Sequence, residues 1–393
     1  MNADTYKETA RLDKLKDLIR RHREFDIIDL FSELHPADIA DLIDNLDEQN
    51  KHRLFSLLEV ETASDVILEL SDMSREQIIE DLSNEQLTNI IDEMDSDDAA
   101  DFIAELSDEQ AKAVLNAIEP EESEDVKELL KYAEDSAGGI MQSELVSVQK
   151  GASINGAFRA VVDAKDEVEN IYNIFVVDDE DRYVGAVPLQ RLITARRFTP
   201  IVDVIDKTVP SVGPDMDQEE VARIFEKYDL LSLPVVDENQ RLLGRITIDD
   251  VVDVIQEETS EDLFRIAGMG EDDSVFNRTS ESVRKRLPWL YLNLVTALVS
   301  VLVIGFFEET IKIMVVLAVF MPLVAGLGGN AGSQTLTLIV RGMALGEVTF
   351  QNAKRALIRQ IYVGIVNGVA VGLVIGVIAW VWKGMPLLGL VLG

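Results

Sequence analysis

FVVDDEDRYVG at residues 175–185 and PVVDENQRLLG at residues 234–244 are two copies of one pattern. In each, Val-Val-Asp closes an apolar run, and Arg182 or Arg241 precedes Gly185 or Gly244 at a constant offset. An apolar run closed by an aspartate reads as the end of a buried strand, and the glycine is expected where a tight turn feeds the next strand. The duplication makes the middle of the chain a tandem of small α/β domains, residues 139–197 and 198–257.

Toward the N-terminus, residues 1–135 change character. From Leu12 to about Tyr132 apolar residues recur at helical spacing among acidic ones, as in a stack of short amphipathic helices. HPADIADLIDNLDEQ (35–49) resembles DSDDAADFIAELSDE (95–109), with Asp38, Asp41, Ile43 and Leu46 matched by Asp98, Asp101, Ile103 and Leu106. Units that bury their apolar faces only against neighbours form a solenoid. Toward the C-terminus, residues 258–283 are polar and helix-prone and read as a connecting helix. Residues 284–393 are hydrophobic, with spans expected at about 287–307, 313–340 and 361–382. The chain stops at Gly393 in LLGLVLG, so residues 386–393 read as the opening of a fourth span. On this reading the sequence is truncated, and the 393-residue product is expected not to conduct ions alone. The expected fold is therefore multi-domain: an α-helical solenoid, an α/β tandem pair and an α-helical transmembrane domain.

Charge follows the same division. Nine of the 36 basic and three of the 72 acidic residues lie from Arg284 onward, leaving 27 basic and 69 acidic residues before it. The preceding part is near −42 and the apolar part near +6. A field of that sign repels nucleic acid and anionic headgroups and attracts cations. With no cysteine, disulfides and thiolate metal sites are excluded and oxygen-ligand metals are the natural guests. His22, His35 and His52 lack zinc spacing and read as ordinary surface or core residues. Residues 1–23 carry no signal-peptide pattern. Arg284, Lys285 and Arg286 precede the first span and Arg341, Lys354, Arg355 and Arg359 separate the second and third, which places both clusters and the acidic domains in the cytosol.

Two acidic clusters stand out. Asp97, Asp98 and Asp101, and again Asp249, Asp250 and Asp253, contain i, i+4 pairs on one helix face, the second set followed by Glu257, Glu258, Glu261 and Asp262. Two carboxylates about 4 Å apart repel by roughly 4 kcal/mol at an effective dielectric of about 20, so a site gathering several is unfavourable until a divalent cation fills it. Oxygen-only donors suit Mg²⁺ or Ca²⁺, and no EF-hand loop is present. A solvated acidic surface is the other reading of the same residues.

The tandem domains resemble a pair of CBS (cystathionine beta-synthase) domains. In the second copy Thr247-Ile-Asp-Asp250 matches the T-x-x-D pattern by which such domains hold an adenosine ribose, while Pro188 and Arg191 stand in those places in the first. By that resemblance Thr247 and Asp250 are nucleotide ligands, with ATP the candidate, and Asp250 has a competing reading as a metal ligand. In the second span, Pro322-Leu-Val-Ala-Gly-Leu-Gly-Gly-Asn-Ala-Gly-Ser-Gln334 puts small residues and the amides Asn330 and Gln334 where they must pack closely or line a wet cavity. Gly364, Gly368, Gly372 and Gly376 make a smooth strip on the third, expected to pack against another helix.

Solenoid, CBS pair, connecting helix and the P-x-x-x-G-x-G-G-N-x-G-x-Q stretch together resemble the MgtE family of magnesium channels. The resemblance implies a homodimer in the plasma membrane with five membrane helices per subunit, whose pore is held shut when cytosolic Mg²⁺ bridges the N-terminal domain, CBS pair and connecting helix. Carried over, the metal ligands fall on Asp65, Asp97, Asp101 and the Gly139 backbone, then Glu219, Asp229, Asp250 and Asp253, and on the connecting helix Glu258, Glu261 and Asp262. Pore roles fall on Gly328, Gly329, Asn330 and Gln334, with Glu308 near the outer mouth. A membrane-anchored nucleotide or metal sensor, or a transporter of Co²⁺ or Mn²⁺, are the alternatives. No nucleophile and base pair, Walker loop or HExxH motif points to an enzyme.

Overall fold

The structure, a computed structural model, describes residues 3–165, 167–168, 170–270, 279–313, 315–344 and 346–384. The chain divides into two compact units, Met1–Gln256 and Glu257–Gly393.

The first unit opens with α1 (Ala3–Arg20), α2 (Glu24–Phe31), α3 (Pro36–Asp44), α4 (Glu48–Phe55) and α5 (Val60–Glu69). It continues with α6 (Asp72–Asp81), α7 (Asn84–Ile91), α8 (Ser96–Glu105), α9 (Asp108–Leu115) and α10 (Pro120–Leu129). Helices this short are marginal alone and need tertiary packing. They obtain it from second neighbours: α3 packs on α5, α5 on α7, α7 on α9, and α8 on α10. Ile39, Ile43, Val66, Ile67, Leu87, Phe102 and Ile103 are thereby fully buried, each worth about 1.5–3 kcal/mol of transfer free energy. Helix starts are written locally, by Pro36 and Pro120 in the first turn and by a capping box between Ser83 and Gln86.

In the α/β part, β1 (Ser147–Gln149) pairs in parallel with β2 (Asn173–Val177), which pairs antiparallel with β3 (Tyr183–Pro188). Around them lie α11 (Ile154–Asp163) and α12 (Leu189–Thr194). The second copy repeats this with α13 (Gln218–Tyr228), β4 (Ser232–Val236) and β5 (Leu242–Thr247), and a single parallel bridge, Val212 to Val235, in place of β1. The matched glycines correct one expectation. The turns are Asp178 to Arg182 and Asp237 to Arg241, whereas Gly185 and Gly244 lie inside β3 and β5, opposite Val176 and Val235. Another backbone crosses there: a Cβ on Gly185 would stand 3.0 Å from the Asp206 carbonyl, and one on Gly244 2.5 Å from that of Gln142.

α14 (Ile248–Ala267) starts on β5 and runs without a break past Gln256, so the last CBS helix and the first part of the expected connector are one helix. Residues 271–278 of the expected connector lie outside the described residues, and 279–283 open the next helix.

The second unit contains α15 (Thr279–Phe306), α16 (Glu308–Ile313), α17 (Val316–Ala344) and α18 (Ala353–Lys383). Among the described residues, Ser282–Phe306 and Ala353–Trp382 are long and apolar enough to cross a membrane, and both are largely exposed. α17 is of similar length and carries its glycines and amides, Gly326 to Gln334, in its middle. It is a continuous helix with Pro322 inside it. α17 and α18 meet through Phe320, Ile375 and Ala379, and Phe320 sits edge-on to Trp382 at 6.1 Å. The expected opening of a fourth span, 386–393, lies outside the described residues.

Candidate functional site

α8 and α14 each begin with an acidic first turn, Asp97 and Asp98 in one and Asp249 and Asp250 in the other. Local sequence favours both starts, because a carboxylate near a helix N-terminus interacts well with the exposed N–H groups and the macrodipole. Tertiary structure then brings the two turns together, which local energetics does not favour.

Asp97 is 5% exposed and its Oδ1 has no hydrogen-bond partner. Burial, and after it the charges of Asp98, Asp250 and Asp95, push its carboxyl well above the usual range. Asp98 is partly buried and pushed up to about 7, by burial first and then by Asp250, Asp95, Asp101 and Asp249. In the matched position of the other repeat, Asp38 has a cation instead, with Arg11 Nη1 2.8 Å from its Oδ2. Asp250 is pushed up to about 6, chiefly by burial, although its Oδ2 accepts hydrogen bonds from Thr247 N at 3.2 Å and Thr247 Oγ1 at 2.7 Å. One turn on, Asp253 is raised by burial and then by Asp249.

The Thr247–Asp250 pair is a helix cap. The Thr247 hydroxyl, 1% exposed, is turned onto Asp250 at the start of α14. T-x-x-D thus has a structural use here before any nucleotide is considered.

Beside the cluster, a polar network joins α8 to the segment leading into the first CBS copy. Ser96 Oγ donates to Glu144 Oε2 at 2.8 Å and accepts from Ser143 N at 2.9 Å, and Ser143 Oγ donates to Asp125 Oδ2 of α10 at 3.2 Å. Glu122 of α10 carries a carboxyl pushed up to about 7, by burial first and then by a hydrogen bond to Asp92 and the charges of Asp92, Glu119 and Glu144. Ser96, Ser143 and Glu144 escaped the sequence reading of the site, and Asp98, named there in the acidic cluster, is absent from the ligands that the resemblance assigns.

The remaining expected ligands are distributed. Asp101 is exposed on α8 and acts on Asp98 through its charge. Asp65 is exposed on α5. Gly139 lies in the tight turn after Ser136, its N–H donating to the Ser136 carbonyl at 2.9 Å, and a Cβ there would stand 2.6 Å from the Glu134 carbonyl. Glu219 accepts from Arg223 at 2.5 Å, so a cation already faces it. Asp229 ends α13 in the left-handed conformation, φ +52°, exposed. Asp65, Gly139, Glu219 and Asp229 are not among the groups acting most strongly on the Asp97, Asp98 and Asp250 carboxyls. Glu258, Glu261 and Asp262 lie on α14 within the second unit, Glu261 paired with Arg265.

Glu308 opens α16, and Gly328, Gly329, Asn330 and Gln334 lie mid-way along α17. A Cβ on Gly328, Gly329, Gly364 or Gly368 would meet nothing within 4 Å, whereas Gly372 and Gly376, further along the strip on α18, are buried beside Ile375 and Ala379.

Among the described residues no three His, Asp or Glu side chains converge tightly enough to hold a metal by themselves. Mg²⁺ keeps several of its waters and takes one or two carboxylates. Two or three acids from facing helices, one of them unpartnered, can hold such a hydrated ion.

The chain matches three family descriptions: MgtE intracellular N domain over residues 34–135, CBS domain over 137–197 and 201–257, and Divalent cation transporter over 321–393. It is 35% identical to the magnesium transporter MgtE of Enterococcus faecalis over 272 residues, 69% of this chain and 60% of the relative. Against the magnesium transporter MgtE of Thermus thermophilus it is also 35% identical over 272 residues, 68% of this chain and 60% of that one. The chain thus spans about 60% of the length of these relatives. Among solved structures it is similar to the cytosolic domain of the Mg²⁺ channel MgtE in complex with ATP, at 32% identity and a TM-score of 0.59, covering 62% of this chain and 99% of that one.

Proposed function

The chain belongs to the MgtE family, and on that premise we propose that it is a subunit of a Mg²⁺ channel whose opening is set by Mg²⁺ at the acidic contact between α8 and α14. The observation that carries this reading is Asp97: buried, unpartnered at Oδ1, and surrounded by negative charge from two separate domains. Carboxylates outnumber the cation that acts there, Arg245 on Asp250. Mg²⁺ held between Asp97, Asp98 and Asp250 would cancel the repulsion and clamp the helical domain to the second CBS copy. At low Mg²⁺ the same charges would drive the two apart. Asp101 and Asp253 add to the field that draws the ion in. Asp65, Gly139, Glu219, Asp229, Glu258, Glu261 and Asp262 are proposed as ligands of further, weaker sites, several of which acting on one two-state element would steepen the response.

In this reading the basic residues around Arg284 and Arg355 hold the acidic domains in the cytoplasm, and the chain crosses the cell membrane several times as a homodimer. The ion passes along α17, where Gly328, Gly329, Asn330 and Gln334 suit a partly hydrated Mg²⁺, with Glu308 near the outer mouth. ATP is proposed as a second ligand at Thr247 and Asp250, after the ATP complex of the related cytosolic domain. Because the Thr247 hydroxyl is already held by Asp250, nucleotide and metal would compete for that carboxylate.

The test is limited proteolysis of the first unit across a Mg²⁺ series, with Na⁺ at matched ionic strength as control. Protection by Mg²⁺ alone, lost in Asp97→Asn/Asp250→Asn, is the expected result. Equal cleavage in both salts would reduce the cluster to acidic surface.

A further inference from the structure

α14 ends on Gly268, whose φ of +68° is left-handed. Met269 N donates to the Phe264 carbonyl at 2.9 Å and Gly268 N to that of Arg265 at 3.1 Å, the two bonds of a Schellman cap. This glycine is also a seat. A Cβ added to it would fall inside van der Waals contact of Trp289 Cε2, Nε1 and Cδ2, so the indole of α15 lies directly on the Gly268 backbone. Both residues belong to the second unit. Trp289 stands one residue after Pro288, near the start of the segment Ser282–Phe306 that is apolar enough to cross a membrane, a depth at which tryptophan is favoured.

We propose that the Gly268–Trp289 contact is the mechanical coupling between α14 and the first span, with Trp289 as its positioning residue. α14 begins at the acidic cluster, on Asp249 and Asp250, and ends under this indole. A helix is a stiff rod of about 1.5 Å per residue, so a displacement at one end reaches the other. Three indole atoms lie over residue 268, and a side chain there would displace them. The tight seat therefore explains the glycine in addition to its φ. The coupling rests on the metal-gated reading above, which supplies the displacement.

The chain contains three tryptophans, so Trp380→Phe with Trp382→Phe leaves Trp289 as the sole indole reporter in the full chain in detergent micelles. Protease protection of the first unit and Trp289 emission with iodide quenching are followed in one Mg²⁺ titration. Both are expected to change with a common midpoint. Gly268→Asn tolerates the left-handed backbone but still pushes a Cβ into the indole. It and Gly268→Ala are expected to keep the protection and lose the emission response. Protection without any emission response, or a response that survives in both variants, overturns the coupling and leaves the gating reading standing. Absence of protection in the parent chain overturns both.

Discussion

Asp97 illustrates how far one residue can depart from its local preference. At the second position of α8 it is well placed for the helix dipole, yet docking buries it beside three other carboxylates. In the metal-free protein, Asp97→Asn is therefore expected to raise the stability of the first unit by about 1–3 kcal/mol and to shrink the stabilisation that Mg²⁺ confers. Thermal melts with EDTA and with Mg²⁺ would check both halves. The pH dependence has a definite sign. Asp98 and Asp250 titrate in the folded protein at about 7 and about 6, above the ordinary value of 3.8. The folded state thus holds more protons than the unfolded one between about pH 4 and 7, and stability falls as pH rises through that window. Asp178, Asp206 and Asp237 are shifted the other way, so their contribution is lost only below about pH 4. Urea midpoints in EDTA should be higher at pH 5 than at pH 8, and Mg²⁺ should flatten the difference.

At the scale of elements, the helical repeats and the paired strands are written plainly in the chain. The match of Asp38, Ile43 and Leu46 to Asp98, Ile103 and Leu106 becomes α3 and α8, with Ile43 and Ile103 both in the core. What the pattern hides is why a given residue is there. Gly185 and Gly244 look like turn glycines because they follow polar runs, but a crossing backbone requires them. Gly244→Ala should cost about 1–3 kcal/mol, seen as a lower melting temperature, because the new Cβ would stand 2.5 Å from a carbonyl oxygen. The network at the start of α8 was equally illegible, since Ser96 and Ser143 are ordinary residues until docking makes them neighbours. Ser96→Ala leaves the Ser143 N–H and Glu144 Oε2 without that partner. It is expected to destabilise the first unit by roughly 1–2 kcal/mol in urea titrations, while a Mg²⁺-dependent rise in midpoint survives.

Over the whole molecule the decisive quantity is the charge of about −42 ahead of Arg284. Monovalent salt screens exposed charges with a Debye length of about 10 Å at 0.1 M, so NaCl should stabilise the metal-free protein gradually. Buried charges such as Asp97 are screened much less. Raising NaCl to the ionic strength of a saturating Mg²⁺ solution is therefore expected to recover only part of the Mg²⁺ effect, as measured by midpoint shifts in the two salts. Full recovery by NaCl would mean that general repulsion, and no ion site, governs the first unit.

The sequence by itself determined the order of the parts, the duplication, the helical repeats, the apolar C-terminal segments and the acidic character of everything before them. These are properties of composition and short-range periodicity, and each residue carries its share whatever its distant neighbours do. Only the tertiary structure decided which acids meet, that α14 runs unbroken past Gln256, that Thr247 caps it through Asp250, and that Trp289 rests on Gly268. Those depend on contacts between residues far apart in the chain, or on how a helix ends in three dimensions. Seventy-two acidic residues look alike in sequence, and burial against one another distinguishes Asp97, Asp98 and Asp250 from the solvated rest.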